Sequence, residues 1–177
     1  MVFSSPVRPW LLPNAALLAA LTLWGILRYP HLPSRIPEHI GVEGVDAWTA
    51  RSIGSAFVLV FVYIGATVLL TACAELTLRV TPQAELPKEA ASFANGLGGS
   101  SLNRPRTRAS ALRMARALLV LNACTGVSLL IGCGVLWRST ADQEVPGWLF
   151  AAMLLPLLAG TAVTVAVRFR DRRTPAN

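Results

Sequence analysis

The sequence predicts an all-α, polytopic membrane protein with four transmembrane helices. Of its 177 residues, 54% are hydrophobic and only 14% are charged, whereas average soluble domains carry about 25% charged residues. Four charge-free runs of at least 19 residues are present, at 9–27, 52–74, 117–137 and 145–167, and a helix needs about 20 residues to span a bilayer. The runs lack the alternation of a membrane β-barrel, so helices are predicted.

The distribution of basic residues predicts the topology. With four spans, the N-terminus, the middle loop and the C-terminal tail share one side, which holds twelve of the sixteen Lys and Arg residues. Cytoplasmic segments of membrane proteins carry such an excess. Both termini are therefore predicted to be cytoplasmic, with the loop 28–51 outside and the protein multi-pass in a plasma membrane. The net charge of +7 is explained in this way, and no nucleic-acid partner is predicted.

The first run could also be a secretory signal peptide. We reject that alternative because the run is long, its flank is weakly basic and no small-x-small cleavage pattern follows Leu27. Pro13 falls in the first turn, where a missing N–H is tolerated. Asn14 is expected near the inner membrane interface.

The second run contains Gly65 and Ala66, small residues that let helices approach closely. The polar stretch 75–101 reads as a flexible cytoplasmic linker. Basic residues follow it and lead into the third run. They fix the topology, and they could bind anionic lipids at Arg104, Arg106, Arg108, Arg113 and Arg116.

The third and fourth runs carry the remaining polar and small residues. Asn122 and Thr125 share a helical face, which predicts an interhelical contact. Small residues four apart also predict close helix packing, at Ser128 and Gly132 and at Gly160 and Thr164. Four tryptophans are expected in an aromatic belt at the outer interface: Trp24, Trp48, Trp137 and Trp148. The three cysteines fall within spans, so no disulfide is predicted.

This organisation predicts three segments. Residues 1–74 form a module of two spans with the outer loop, residues 75–116 form the cytoplasmic linker and basic flank, and residues 117–177 form a two-span hairpin with a basic tail.

The outer loop is rich in proline and contains both histidines. Its prolines predict extended backbone that ends the first helix, and Leu32 and Ile36 are expected to lie back on the helix ends. Gly41 and Gly44 permit turns, and Asp46 is placed to cap the second helix.

A cluster of imidazoles and carboxylates in the loop suggests ligand binding. His39, Asp46, His31, Glu38 and Glu43 could converge on a ligand, a metal or a peptide. Their spacing fits no common metal signature, and each has a structural role available. No metal or cofactor is therefore predicted. Since no nucleophile or oxyanion device is recognisable, no enzymatic activity is predicted either.

The loop also resembles a known family. The residues that carry the resemblance are Leu32, Pro33, Ile36, Pro37, His39, Gly44, Asp46, Trp48 and Arg51. Their spacing resembles the motif of domain-of-unknown-function family 1648, a module of membrane proteins that is also found at the N-terminus of SdpI-type bacterial immunity proteins. The resemblance covers about Trp10 to Ala74. Ile40 replaces an expected aromatic residue, and Arg51 replaces the usual Lys.

The leading functional hypothesis is a bacterial membrane protein without catalytic activity. Its outer loop would bind or sense an envelope ligand, and the resemblance implies a role in immunity or signalling. The alternative is a small transporter component or an accessory subunit of a membrane complex. A cavity lined by Asn14, Asn122 and Thr125 would favour the transporter, and a solid core under an outer cap would favour binding. Expected partners are the bilayer and either a membrane protein or a second copy of the chain.

Overall fold

The computed structural model describes residues 7–41, 44–86, 104–137 and 146–173, most of them helical. A single-turn helix, α2 (Ile53–Ala56), lies between the first two long helices. Four helices are long and apolar enough to cross a membrane: α1 (Arg8–Arg28), α3 (Val58–Arg79), α4 (Arg108–Leu136) and α5 (Gly147–Arg173). The prediction of a mainly helical, multi-pass membrane protein is confirmed.

Two helices extend beyond their apolar runs into the polar segment between them. α3 continues past Ala74 to Arg79, so Glu75 lies within a helix and is only 7% exposed. α4 begins at Arg108 because Thr107 caps it: the Thr107 hydroxyl accepts a hydrogen bond from the Ser110 N–H, and the Ser110 hydroxyl accepts one from the Thr107 N–H. Much of the predicted basic flank is therefore helical. Linker residues 87–103 lie outside the described part.

The loop between the first two spans forms a β-hairpin, which the all-α prediction lacked. Strand β1 (Arg35–Gly41) pairs antiparallel with strand β2 (Gly44–Ala50). The prolines favour extended backbone, and β2 contains Val45, Trp48 and Thr49, which suit strands. The extended conformation was thus predicted correctly, and the strand pairing was missed.

The hairpin contains two irregularities that compensate for each other. Pro37 pairs with Trp48, His39 with Ala47 and Ile40 with Val45. Glu38 on β1 and Asp46 on β2 therefore have no residue opposite them. An extra residue bends a strand and re-aims its side chains. Because each strand contains one extra residue, Ile40 pairs with Val45 in the same register in which Arg35 pairs with Ala50.

The predicted cap of the second helix is wrong. The backbone of Asp46 lies within β2, too far along the chain from Ile53 to cap its helix. Ser52 is the N-cap, and its hydroxyl accepts from the Ser55 N–H at 3.1 Å. Ser and Asp are comparable N-caps, so the residue that directly precedes the helix takes this role. The side chain of Asp46 lies outside the described part.

Helix α4 is the centre of the bundle, and α1, α3 and α5 all pack against it. A Cβ on Gly160 of α5 would lie 3.0 Å from the Leu121 Cα of α4, so the predicted close packing at Gly160 is confirmed. Gly65 was also expected to permit a close approach between helices, and the structure does not show one among the described residues. Its position on α3 has no described atom within 4 Å of an added Cβ, so it makes no close helix contact here.

A buried polar cluster ties α1, α3 and α4 together midway along α4. Asn14 is 1% exposed and Asn122 is fully buried, and the Asn122 amide donates to the Asn14 Oδ1 at 2.9 Å and to the Thr67 Oγ1 at 3.1 Å. The Tyr63 hydroxyl also donates to the Asn14 Oδ1, at 3.3 Å. Asn14 was expected at the interface rather than in a buried polar site, and the structure buries its side chain in such a site. Asn122 makes the predicted interhelical contact, whereas Thr125 donates to Leu121 of its own helix.

Candidate functional site at the hairpin end

The start of the hairpin is packed onto the helix ends. Leu32 is 5% exposed and Ile36 is fully buried, and both belong to a core cluster with Leu21, Val60 and Leu136. This confirms that these two residues lie back on the helix ends. Burying these two apolar side chains anchors the start of the hairpin to the bundle and thereby positions the rest of it.

Arg51 holds the base of the hairpin closed. Its guanidinium donates to the Leu32 carbonyl and lies 5.5 Å from the centre of the Tyr29 ring, a cation–π distance. Its backbone N–H donates to the Ser34 carbonyl at 2.9 Å. A long basic side chain at this position thus joins the residue after β2 to the segment before β1, a role that the sequence did not reveal.

Trp137 lies inside this end of the bundle. It was expected in an aromatic belt, yet it is 1% exposed, and its Nε1–H donates to the Ala56 carbonyl at 2.9 Å. Trp24 contacts it edge to face, with ring centres 5.2 Å apart. The Arg28 guanidinium donates to the Trp137 backbone carbonyl at 3.3 Å. The belt interpretation is therefore wrong for Trp137, whereas Trp148 is 67% exposed.

The remaining candidate residues are spread along the hairpin. Pro37 is buried and pairs with the half-buried Trp48, whereas Pro33 and His39 are exposed. Gly44 pairs with Gly41 beside the turn.

The described part of the structure does not show the five loop residues converging on a ligand. The His31 Nδ1 lies 3.2 Å from the Leu27 carbonyl of the preceding helix. This contact, four residues away in the chain, accounts for the position of the His31 ring without a ligand. Glu43 and the side chain of Asp46 lie outside the described part. Among the described residues, no group of three or more His, Cys, Asp or Glu side chains could hold a metal ion.

A pocket of about 220 Å³ lies beneath the hairpin, and we call it the hairpin pocket. β1 covers it, and the neighbouring ends of α3, α4 and α5 form its walls. It is lined by Pro37, Glu38, His39, Val58, Leu59, Gly132, Val135, Leu136, Leu149, Phe150 and Met153. Of these lining residues, only Glu38 and His39 are ionisable. The pocket is thus apolar within and carries its charge at the strand that covers it.

Sequence reasoning missed the pocket because its walls come from four distant segments. One sequence signal was available, the Ser128 and Gly132 step on α4. An added Cβ on Gly132 would lie 3.2 Å from the ends of the Leu59 and Met153 side chains. The missing side chain therefore lets Leu59 and Met153 meet α4 closely at this wall of the pocket. Glu38, at the bulge of the covering strand, also lines the pocket.

The basic residues at the opposite end are partly engaged within the protein. Arg108 forms two hydrogen bonds with Glu85, both at 2.9 Å, and Arg113 pairs with Asp171 at 3.2 Å. Arg116 lies 6.0 Å from the centre of the Trp10 ring. Anionic-lipid binding at this end remains a prediction, and the ion pairs reduce the net charge that Arg108 and Arg113 would offer.

Comparison with known proteins identifies one segment. Residues 16–64 match the family model described as "Domain of unknown function (DUF1648)", which confirms for this segment the resemblance that the loop motif suggested. The match runs from α1 through the hairpin into α3, less than a third of the chain. No curated protein and no solved structure matches the chain significantly.

Proposed function

We propose that this protein is a non-enzymatic plasma-membrane protein that binds an envelope ligand at its hairpin end. In this proposal both termini are cytoplasmic and the hairpin faces outward, supported by the concentration of twelve of the sixteen basic residues on the opposite side. The four apolar helices anchor the site in the bilayer.

The observation that carries the proposal is the hairpin pocket. The strand that covers it contains Pro37 and His39 of the family motif, whereas α4 and α5 lie outside the matched segment. A concave, mostly apolar pocket with a few polar groups at its edge is the usual form of a small-ligand site. The hairpin belongs to the segment that the family model matches, and the site that it covers also has walls from two helices outside that segment.

The lining residues suit binding rather than catalysis. Glu38 and His39 are the two ionisable groups among them, and both are exposed at the covering strand. The walls offer aliphatic and aromatic contacts. A role in immunity or signalling, which the motif resemblance implies, would follow if ligand binding at this pocket protects the membrane or is transmitted along the helices.

The transporter alternative has less support. The two asparagines that would line its cavity hydrogen-bond to each other at 2.9 Å, so their side chains fill the space between α1 and α4. Thr125 is bonded to its own helix. Membership of a larger membrane complex is compatible with the exposed apolar surfaces, which lipid would also cover.

Photo-crosslinking in living cells tests the proposal. A photoreactive amino acid at position 149 faces the pocket, and one at Leu158, which is 61% exposed within the apolar run of α5, reports ordinary lipid contact. We expect an adduct at position 149 that Gly132→Val removes because the larger side chain fills the pocket. Gly65→Val, at a position with open space, is the matched control and should leave the adduct unchanged. Identical adducts at 149 and 158 in every variant would contradict the proposal.

A further inference from the structure

We propose that the hairpin pocket holds an acyl chain of a phospholipid with a primary ammonium headgroup, and that the Glu38 carboxylate receives the ammonium. This inference rests on the proposed function, because it names the class of ligand for the same pocket. Three observations support it: the size of the pocket, its position among the helix ends and the charge on its covering strand.

The size favours a slender apolar group. The volume of about 220 Å³ is below the roughly 300–1,000 Å³ typical of pockets for drug-sized ligands. Gly132, Leu59 and Met153 form an apolar meeting point of three helices. A segment of alkyl chain can fill this space without placing a polar atom against it.

The position favours a lipid. The pocket lies among the first turns of α3 and α5 and the last turns of α4. The neighbouring side chains of Val58 and Trp148 are 46% and 67% exposed, so hydrocarbon would contact these helix ends in a bilayer. A lipid chain can therefore enter from the adjacent leaflet without crossing water, whereas a soluble peptide would first have to displace lipid.

The charge favours a cationic head. Glu38 lies on the bulge of β1, is exposed, and has no ion-pair partner among the described residues. Arg35, three residues earlier on the same strand, is exposed and forms no ion pair with Glu38. The Arg28 and Arg51 guanidiniums donate to the carbonyls of Trp137 and Leu32. A carboxylate at the edge of an apolar pocket complements an ammonium joined to an acyl chain, because hydrogen bonds between ionised groups are the stronger ones.

Competition between lipids of matched chain length tests the inference. Purified protein is reconstituted in nanodiscs of phosphatidylcholine containing equal amounts of phosphatidylethanolamine and phosphatidylglycerol, and the retained lipid is measured by native mass spectrometry. We expect phosphatidylethanolamine to be retained about two- to fivefold over phosphatidylglycerol, the range expected for an exposed ion pair. Glu38→Gln should remove the preference, and Glu38→Lys should invert it. Both substitutions lie on an exposed strand position, so the fold should tolerate them.

The outcomes separate this inference from the proposed function. Equal retention of the two lipids by the wild-type protein, with lipid still lost in Gly132→Val, would overturn the headgroup assignment and leave a pocket that binds acyl chains. Retention unchanged in Gly132→Val would overturn both, provided that this variant melts like Gly65→Val. A peptide from native membranes that occupies the pocket, and is lost in Gly132→Val, would overturn the lipid assignment alone.

Discussion

The Asn122 amide donates a hydrogen bond of 2.9 Å to the Asn14 Oδ1, joining α4 to α1 across 108 positions of sequence. The same amide donates to the Thr67 Oγ1 on α3. One side chain thus connects three helices in the interior of the bundle. Since apolar surfaces between helices gain little in lipid, such hydrogen bonds and close packing fix which helices associate.

Asn122→Leu should therefore destabilise the protein. It removes both hydrogen bonds and leaves the Asn14 and Thr67 oxygens without these donors in the bundle interior. We expect a loss of about 1–2 kcal/mol in the free energy of unfolding, the scale of interhelical hydrogen bonds in membranes. Reversible unfolding in mixed micelles measures it. Thr125→Val is the matched control, because among the described residues the Thr125 hydroxyl bonds within α4, to the Leu121 carbonyl, and an equal loss in that variant would contradict the bridging role.

Gly25→Ala should destabilise the hairpin end. An added Cβ would lie 2.7 Å from the Phe57 Cε1 and 2.8 Å from the Trp137 Cζ2, and the Trp137 ring is held by its bond to Ala56. Overpacking a rigid site costs about 1–3 kcal/mol. Gly65→Ala meets no described atom within 4 Å and should be close to neutral in the same thermal melts. If both alanine variants melted alike, the close packing around Gly25 would be refuted.

The spans could be predicted from sequence because their signal is local. Each is a charge-free run long enough to cross a bilayer, and this property does not depend on what the helix contacts. The hairpin is different. Its pairing is obscured by Pro37 and by the extra residues Glu38 and Asp46, which interrupt the alternation that identifies a half-buried strand.

The errors at single residues have tertiary causes. Asn14 lies near the start of α1, yet its partners are in α3 and α4. Trp137 is followed by Arg138, a pattern typical of an interface, but Gly25 leaves room for its ring inside the bundle. The pocket was missed for the same reason, because no single segment contains enough of its wall to be recognised.

Arg51→Ala should loosen the hairpin. The variant loses the donor to the Leu32 carbonyl and the cation over Tyr29 while keeping the backbone bond to Ser34. We expect backbone amides of residues 35–50 to exchange roughly fivefold faster in hydrogen–deuterium exchange, the effect of losing about one net hydrogen bond. Arg51→Lys retains a cationic donor and should exchange at close to the wild-type rate. Arg35→Ala, also exposed on the hairpin, is the control, and equal acceleration there would argue against a specific closing role for Arg51.

The orientation in the membrane can be tested by cysteine labelling, since every proposal about an outward hairpin depends on it. In a background without native cysteines, Ser34→Cys places a thiol at an exposed position before β1, and Gly99→Cys places one in the linker, outside the described residues. Because twelve of the sixteen basic residues lie on the side of the linker and both termini, a membrane-impermeant maleimide should label position 34 in intact cells and position 99 only after lysis. Labelling of position 99 in intact cells, with position 34 protected, would place the hairpin in the cytoplasm and exclude an envelope ligand at its pocket.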